Sequence, residues 1–287
     1  GDIAGGSVTT GGANIMIGHT AGDGFDTETN NLGIGTAALG GSIAGGEYNV
    51  AIGNSTLDAL TSGDANTVIG YNAGGSLTGA TNNVIIGHLA GDALQTGSSN
   101  TIIGDNAVGV GVLTGGNNVV MGRNAGEDLT SAASNVIIGV DAAKQGTTGE
   151  NNVVIGTNAQ GSGIATGNNN VAIGYGASSA GTSMKESVAI GFGAADASTT
   201  MGRFVAIGYG AMGTGVGTAA TSYNIAIGYN SLLAITSGTD NIAIGVNANK
   251  FADGESQNIA IGSGALSGPI NGGEYNVAIG NTSLDAL

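Results

Sequence analysis

One short phrase recurs along the whole chain, at a period that permits few folds. A glycine follows an apolar triplet at positions 18, 35, 53, 70, 87, 104, 122, 139, 156, 174, 191, 208, 228, 245, 262 and 280. The spacings are 17 or 18 residues, except for one of 20 between Gly208 and Gly228. That is too short for the commonest helical hairpin repeats, which need roughly 33–34 residues. The stretch before each glycine, such as "NVAI" at 170–173, is too brief and too β-branched for a helix. The period fits one coil of a β-solenoid: a short strand, a glycine turn, a second short segment ending near an alanine, then a loop. The expectation is an all-β fold, a parallel β-roll of about sixteen 17–18-residue coils. At a coil spacing of about 4.8 Å it would form a rod of roughly 75 Å.

The columns around the marker glycine support this. The preceding residue is Ile in fifteen repeats and Met121 in the other, and the residue four before is Asn in all but two, where Ser187 and Phe204 stand. Three after it comes Ala, replaced by Thr56, Ser231 and Ser283. The glycine suits a turn at positive φ. Two residues on, Asn72, Asn106, Asn124, Asn158, Asn230 and Asn247 tolerate the left-handed region, and Gly176, Gly193, Gly210 and Gly264 replace them elsewhere. The Asn before each strand is expected to stack into an inner amide ladder. The extra residues of the long spacing are expected as a loop insertion within 212–222.

Composition narrows the function. The chain has 58 glycines, no cysteine and no tryptophan, and its twenty acidic residues face five basic ones, a net charge of −15. Nucleic-acid binding needs phosphate-neutralising Lys and Arg, so no nucleic-acid partner is expected. Absence of cysteine excludes disulfides and thiol chemistry, and no apolar run approaches a membrane span. Without a starting Met or signal peptide, the sequence reads as a fragment of a longer protein. Residues 33–60 and 260–287 are copies of one another, agreeing at 20 of 28 positions, which suggests further copies in that longer protein. The whole of 1–287 reads as a single repetitive rod.

On a strand, alternate side chains face opposite ways. The sequence reading turns the residues three and one before the glycine inward and the middle residue outward. That middle residue is apolar in every repeat, and the bulkiest run is Val68, Ile85, Ile102, Val120, Ile137 and Val154. A strand apolar on both faces is buried on both faces, so these six residues are the expected oligomer interface.

The phrase "NVAIGxxA", together with its sixteen-fold recurrence, resembles the head repeats of YadA-like trimeric autotransporter adhesins and the related repeats of bacteriophage tail fibres. The resemblance covers essentially the whole chain. The adhesin repeats are shorter, and the extra residues here lie in the "TSG" loop. It implies a left-handed β-roll packed as a homotrimer outside the cell, in a virion fibre or on a bacterial surface. Its role would be reach, rigidity and attachment to a cell-surface glycan or protein receptor. It carries over no catalytic residue.

Candidate sites are few. Tyr175, Phe192, Tyr209 and Tyr229 follow the glycine in four successive coils and form an expected aromatic ladder. Such a ladder could contact a glycan or simply cover the edge of the roll. A monomeric glycan-binding solenoid using it is the alternative to the trimeric fibre. His19 and His88 share the same column, four coils apart, and read as exposed bystanders. Asp23, Asp26, Glu28, Glu127 and Asp128 lie in loops without the spacing of a calcium roll, and read as solvated charge. No metal, no cofactor and no enzymatic activity are expected, and no column supplies the Thr-x-Thr face of an ice binder.

Overall fold

A computed structural model of the chain describes residues 2–41, 45–163, 165–200, 202–214, 222–269 and 272–285. Among them there is no helix and there are sixteen three-residue strands. The chain divides into two compact units, Gly1–Thr148 and Gly149–Leu287. The first holds β1 (Ile15–Ile17), β2 (Leu32–Ile34), β3 (Val50–Ile52), β4 (Thr67–Ile69), β5 (Val84–Ile86), β6 (Thr101–Ile103), β7 (Val119–Met121) and β8 (Val136–Ile138). The second holds β9 (Val153–Ile155), β10 (Val171–Ile173), β11 (Val188–Ile190), β12 (Val205–Ile207), β13 (Ile225–Ile227), β14 (Ile242–Ile244), β15 (Ile259–Ile261) and β16 (Val277–Ile279). Within each unit every strand pairs in parallel with the next in chain order, column on column, as in Val84↔Thr101, Ile85↔Ile102 and Ile86↔Ile103. The fold is a β-solenoid, with one strand per coil. The expected insertion falls largely on 215–221, outside the described residues.

The turn after each strand depends on the marker glycine. Gly87 has φ +143, and a Cβ on it would overlap the carbonyl of Gly104 one coil on. Any side chain there would force neighbouring coils apart. The next turn residue but one adopts the left-handed conformation, as at Asn72 (φ 51) and Asn106 (φ 54). Asparagine reaches this region more readily than bulkier residues.

The Asn ladder is present in both units. The Asn66 Oδ1 accepts the backbone N–H of Asn83 and its side-chain amide, both at 3.0 Å, while Asn66 Nδ2 donates to the Ala80 carbonyl at 2.8 Å. Each amide thus ties a strand entry to the neighbouring coil and to its own coil's returning loop. Buried polar groups are tolerated only when satisfied in this way. Phe204 breaks the ladder by filling the space with a buried ring.

The interior corrects one sequence expectation. Val68, Ile85, Ile102, Val120, Ile137 and Val154 are no more than 2 % exposed within the single chain. They face the inside of their own coils and cannot form an interface. The returning turn explains why. The residue four after the marker glycine closes over the middle strand residue of its own and neighbouring coils, and in most coils the two columns exchange size. Where the strand carries Ala51 the turn supplies Leu57. Where it carries Ile85 the turn supplies Gly91, whose Cβ would sit 3.2 Å from Ile85 atoms. In the second unit, where the strand column is mostly Ala, Met212, Leu232 and Leu266 fill from the turn side. Interiors are close-packed, so in most coils one large side chain fills the slot; the coils of Ile102 with Val108 and of Val154 with Gln160 carry a large residue in both columns.

Candidate functional site: an outer apolar face and an aromatic ladder

With the middle column inside, the strand's other two positions face outward. They are mostly half-buried in the single chain, as in β10 and β11. In β9–β16 all sixteen such side chains are Val or Ile, and in β1–β8 only Thr67 and Thr101 are polar. No charge falls on this face in either unit. In-register pairing makes it continuous along each unit. Its apolar character is unusual for a solvated surface, where the outward residues of a one-sided sheet are polar.

The aromatic ladder forms as expected. Tyr175, Phe192, Tyr209 and Tyr229 have ring centroids 5.1, 5.0 and 5.2 Å apart, with planes within 14° of parallel. Each is about half exposed. The rings stack on one another, so the interior faces of the ladder are used up. Only its ends have a face without an aromatic partner: Tyr175 towards the coil of Thr157, and Tyr229 towards the coil of Val246. Those neighbours are set by the bonds Gly176 N–H to Thr157 O and Asn247 N–H to Tyr229 O.

Beside the first two rings lies a notch of about 220 Å³, lined by Asn158, Ser162, Tyr175, Gly176, Ser179, Phe192, Gly193 and Asp196. Its floor is Gly176 and Gly193, at φ +61 and +59, where an added Cβ would meet nothing within 4 Å. In coils that carry Asn at this position the amide spans neighbouring coils, as Asn72 does to Asp92 at 2.6 Å and Asn124 to Asp141 at 2.9 Å. The lining also carries polar groups. The Ser179 and Ser162 hydroxyl oxygens lie 3.1 Å apart, and partial burial raises the Asp196 carboxyl while the Ser179 hydroxyl, donating to it, partly offsets that. The exchange of Asn for Gly is visible in sequence, but the cavity it opens is not.

The other candidates resolve differently. His88 stacks on Tyr71 with centroids 5.7 Å apart, and its Nδ1 lies 2.8 Å from Asp105 Oδ1. It is therefore tied into its column, whereas His19 makes no ring stack. Glu28 is buried, taking the backbone N–H groups of Asp26, Thr27 and Gly45. Glu127 pairs with Lys144 at 3.2 Å and accepts from Asn106 at 2.8 Å. These two carboxylates are structural rather than solvated. Among the described residues no three His, Asp or Glu converge as a metal cluster.

The fold is a β-solenoid in which each unit carries an apolar outer face and the second unit carries an aromatic ladder. Compared with family models and with curated proteins, the chain matches none.

Proposed function

We propose that this chain is a structural segment of an extracellular homo-oligomeric fibre, built from left-handed coils with three copies packed through the outward strand columns. The observation that carries the reading is the uncharged Val/Ile face. Fully burying one such side chain is worth about 1.5–3 kcal/mol, and a second copy of the same face is the partner that matches it coil for coil. The resemblance to YadA-like heads and phage tail-fibre repeats supports three as the number of chains, and both carriers fit. The work of the segment is reach, rigidity and presentation, with no catalytic step.

The outward columns supply the test. Ile86→Lys with Ile103→Lys places two cations on the face while leaving the inner Ile85 and Ile102 untouched. Sedimentation equilibrium should show the wild type as an assembly and the variant as single chains with the same far-ultraviolet signature. Equal masses for the two would overturn the proposed interface.

A further inference from the structure

We infer that the notch at the start of the aromatic ladder is a binding site for a neutral pyranose, the sugar ring packing against Tyr175 and lying over Gly176 and Gly193. This does not rest on self-association, because the notch lies after the strands and off the apolar face.

Three observations converge on the class of ligand. Tyr175 is the end ring of the ladder, so its face towards Thr157 lacks the aromatic partner that covers the interior rings. A sugar's C–H face is the apolar, electropositive surface that an aromatic face accepts. The same notch is lined by hydroxyls, an amide and a carboxylate, from Ser162, Ser179, Asn158 and Asp196, a set that both donates to and accepts from vicinal hydroxyl groups. The floor is empty because two consecutive coils carry glycine where others carry an axial asparagine. Further along, Gly210 offers no such space, since a Cβ there would meet the Asn230 side chain. The notch is therefore a bounded pocket, lined from three successive coils over a floor of two glycines, sized for one sugar ring rather than a continuous groove. Asp196 and the net charge of −15 disfavour sulfated and carboxylated sugars.

The fold supplies its own blocking variant. Gly176→Asn with Gly193→Asn restores the residue other coils carry at the same backbone angle, φ 51 to 56 at Asn72, Asn124 and Asn158. The solenoid should keep its secondary structure and native mass. The experiment is binding of the full chain to an array of neutral, sulfated and carboxylated oligosaccharides, followed by titration of the best neutral oligosaccharide. The wild type should be retained on neutral pyranose oligosaccharides, with affinity lowered at least tenfold in the double Asn variant and in Tyr175→Ala. The Tyr209→Ala variant, which removes an interior ring, should bind nearly as wild type. Retention on acidic sugars alone, no retention at all, or equal binding by the double Asn variant would each overturn the site.

Discussion

The side-chain oxygen of Asn118 accepts two hydrogen bonds from Asn135 one coil on, from its backbone N–H and from its side-chain amide, both at 3.0 Å. Asn118 in turn donates its amide to the Ala132 carbonyl at 2.9 Å and to Asn100 Oδ1 at 3.0 Å. One side chain thus joins three coils in a buried network. Asn118→Ala removes the acceptor of the Asn135 backbone N–H and the donor to the Ala132 carbonyl. Each buried unsatisfied group costs about 1–3 kcal/mol, and a connected network loses more than isolated pairs. The expected loss is about 2–4 kcal/mol in urea unfolding, and a loss under 0.5 kcal/mol would remove the ladder from the account.

Gly87 tests the turn. Alanine there must adopt φ +143 and overlap the Gly104 carbonyl, so Gly87→Ala should destabilise by about 3 kcal/mol or more. Gly12 is the control, exposed and with nothing near an added Cβ. Gly12→Ala should be neutral or gain up to about 1 kcal/mol by restricting the unfolded chain. Similar melting shifts for the two would contradict the proposed role of the marker column.

Asn249 is an improvable position. It lies fully buried in the column of Leu232 and Leu266, and both polar atoms of its amide lack a partner. Leu232 and Leu266 hold positive φ of 46 and 50, so leucine can adopt this backbone conformation. Asn249→Leu removes an unsatisfied amide and adds apolar burial, with an expected gain of about 1–2 kcal/mol. A fall in melting temperature would show that the slot cannot take the branched side chain.

Acid should weaken the first unit through Glu28. Burial alone would raise its carboxyl, but the backbone N–H donors of Asp26, Gly45 and Thr27 outweigh it and hold the group below the ordinary value of 4.5. A carboxyl depressed on folding contributes its full stabilisation above its unfolded pKa, and loses it as pH falls through the lower folded value. Asp58 and Asp92 move the other way: burial raises both, and the Asp58 charge raises Asp92 further. Their share favours the folded state as pH drops through their raised values. Comparing Glu28→Gln with wild type isolates the first effect. The variant should be less stable at pH 7 and should lose less between pH 5 and pH 3. Parallel stability–pH curves would contradict this.

The period, the parallel register, the positive-φ columns and the Asn ladder were all legible in the sequence, because each is a chemical requirement repeated at a fixed position. The orientation of the strand was not. Three apolar residues in a row give no polar–apolar alternation to tell the inside from the outside. The informative signal was subtler: the size exchange between Ala51 and Leu57 on one hand and Ile85 and Gly91 on the other, which only two side chains sharing one interior slot would need. Reading the strand the other way assigned Val68 to Val154 to an interface, whereas they are core. The aromatic ladder was legible from its spacing. That its rings would consume one another's faces, leaving Tyr175 as the ring beside an open floor, follows only from the coil geometry.

The native mass of the chain tests the central claim most directly, by light scattering on a size-exclusion column at neutral pH. The account predicts a particle of three times the 27.3 kDa chain, held by the outward Val and Ile columns. A stable single chain of 27.3 kDa would contradict it, and would mean that a continuous, uncharged apolar face remains in water without a copy of itself to cover it.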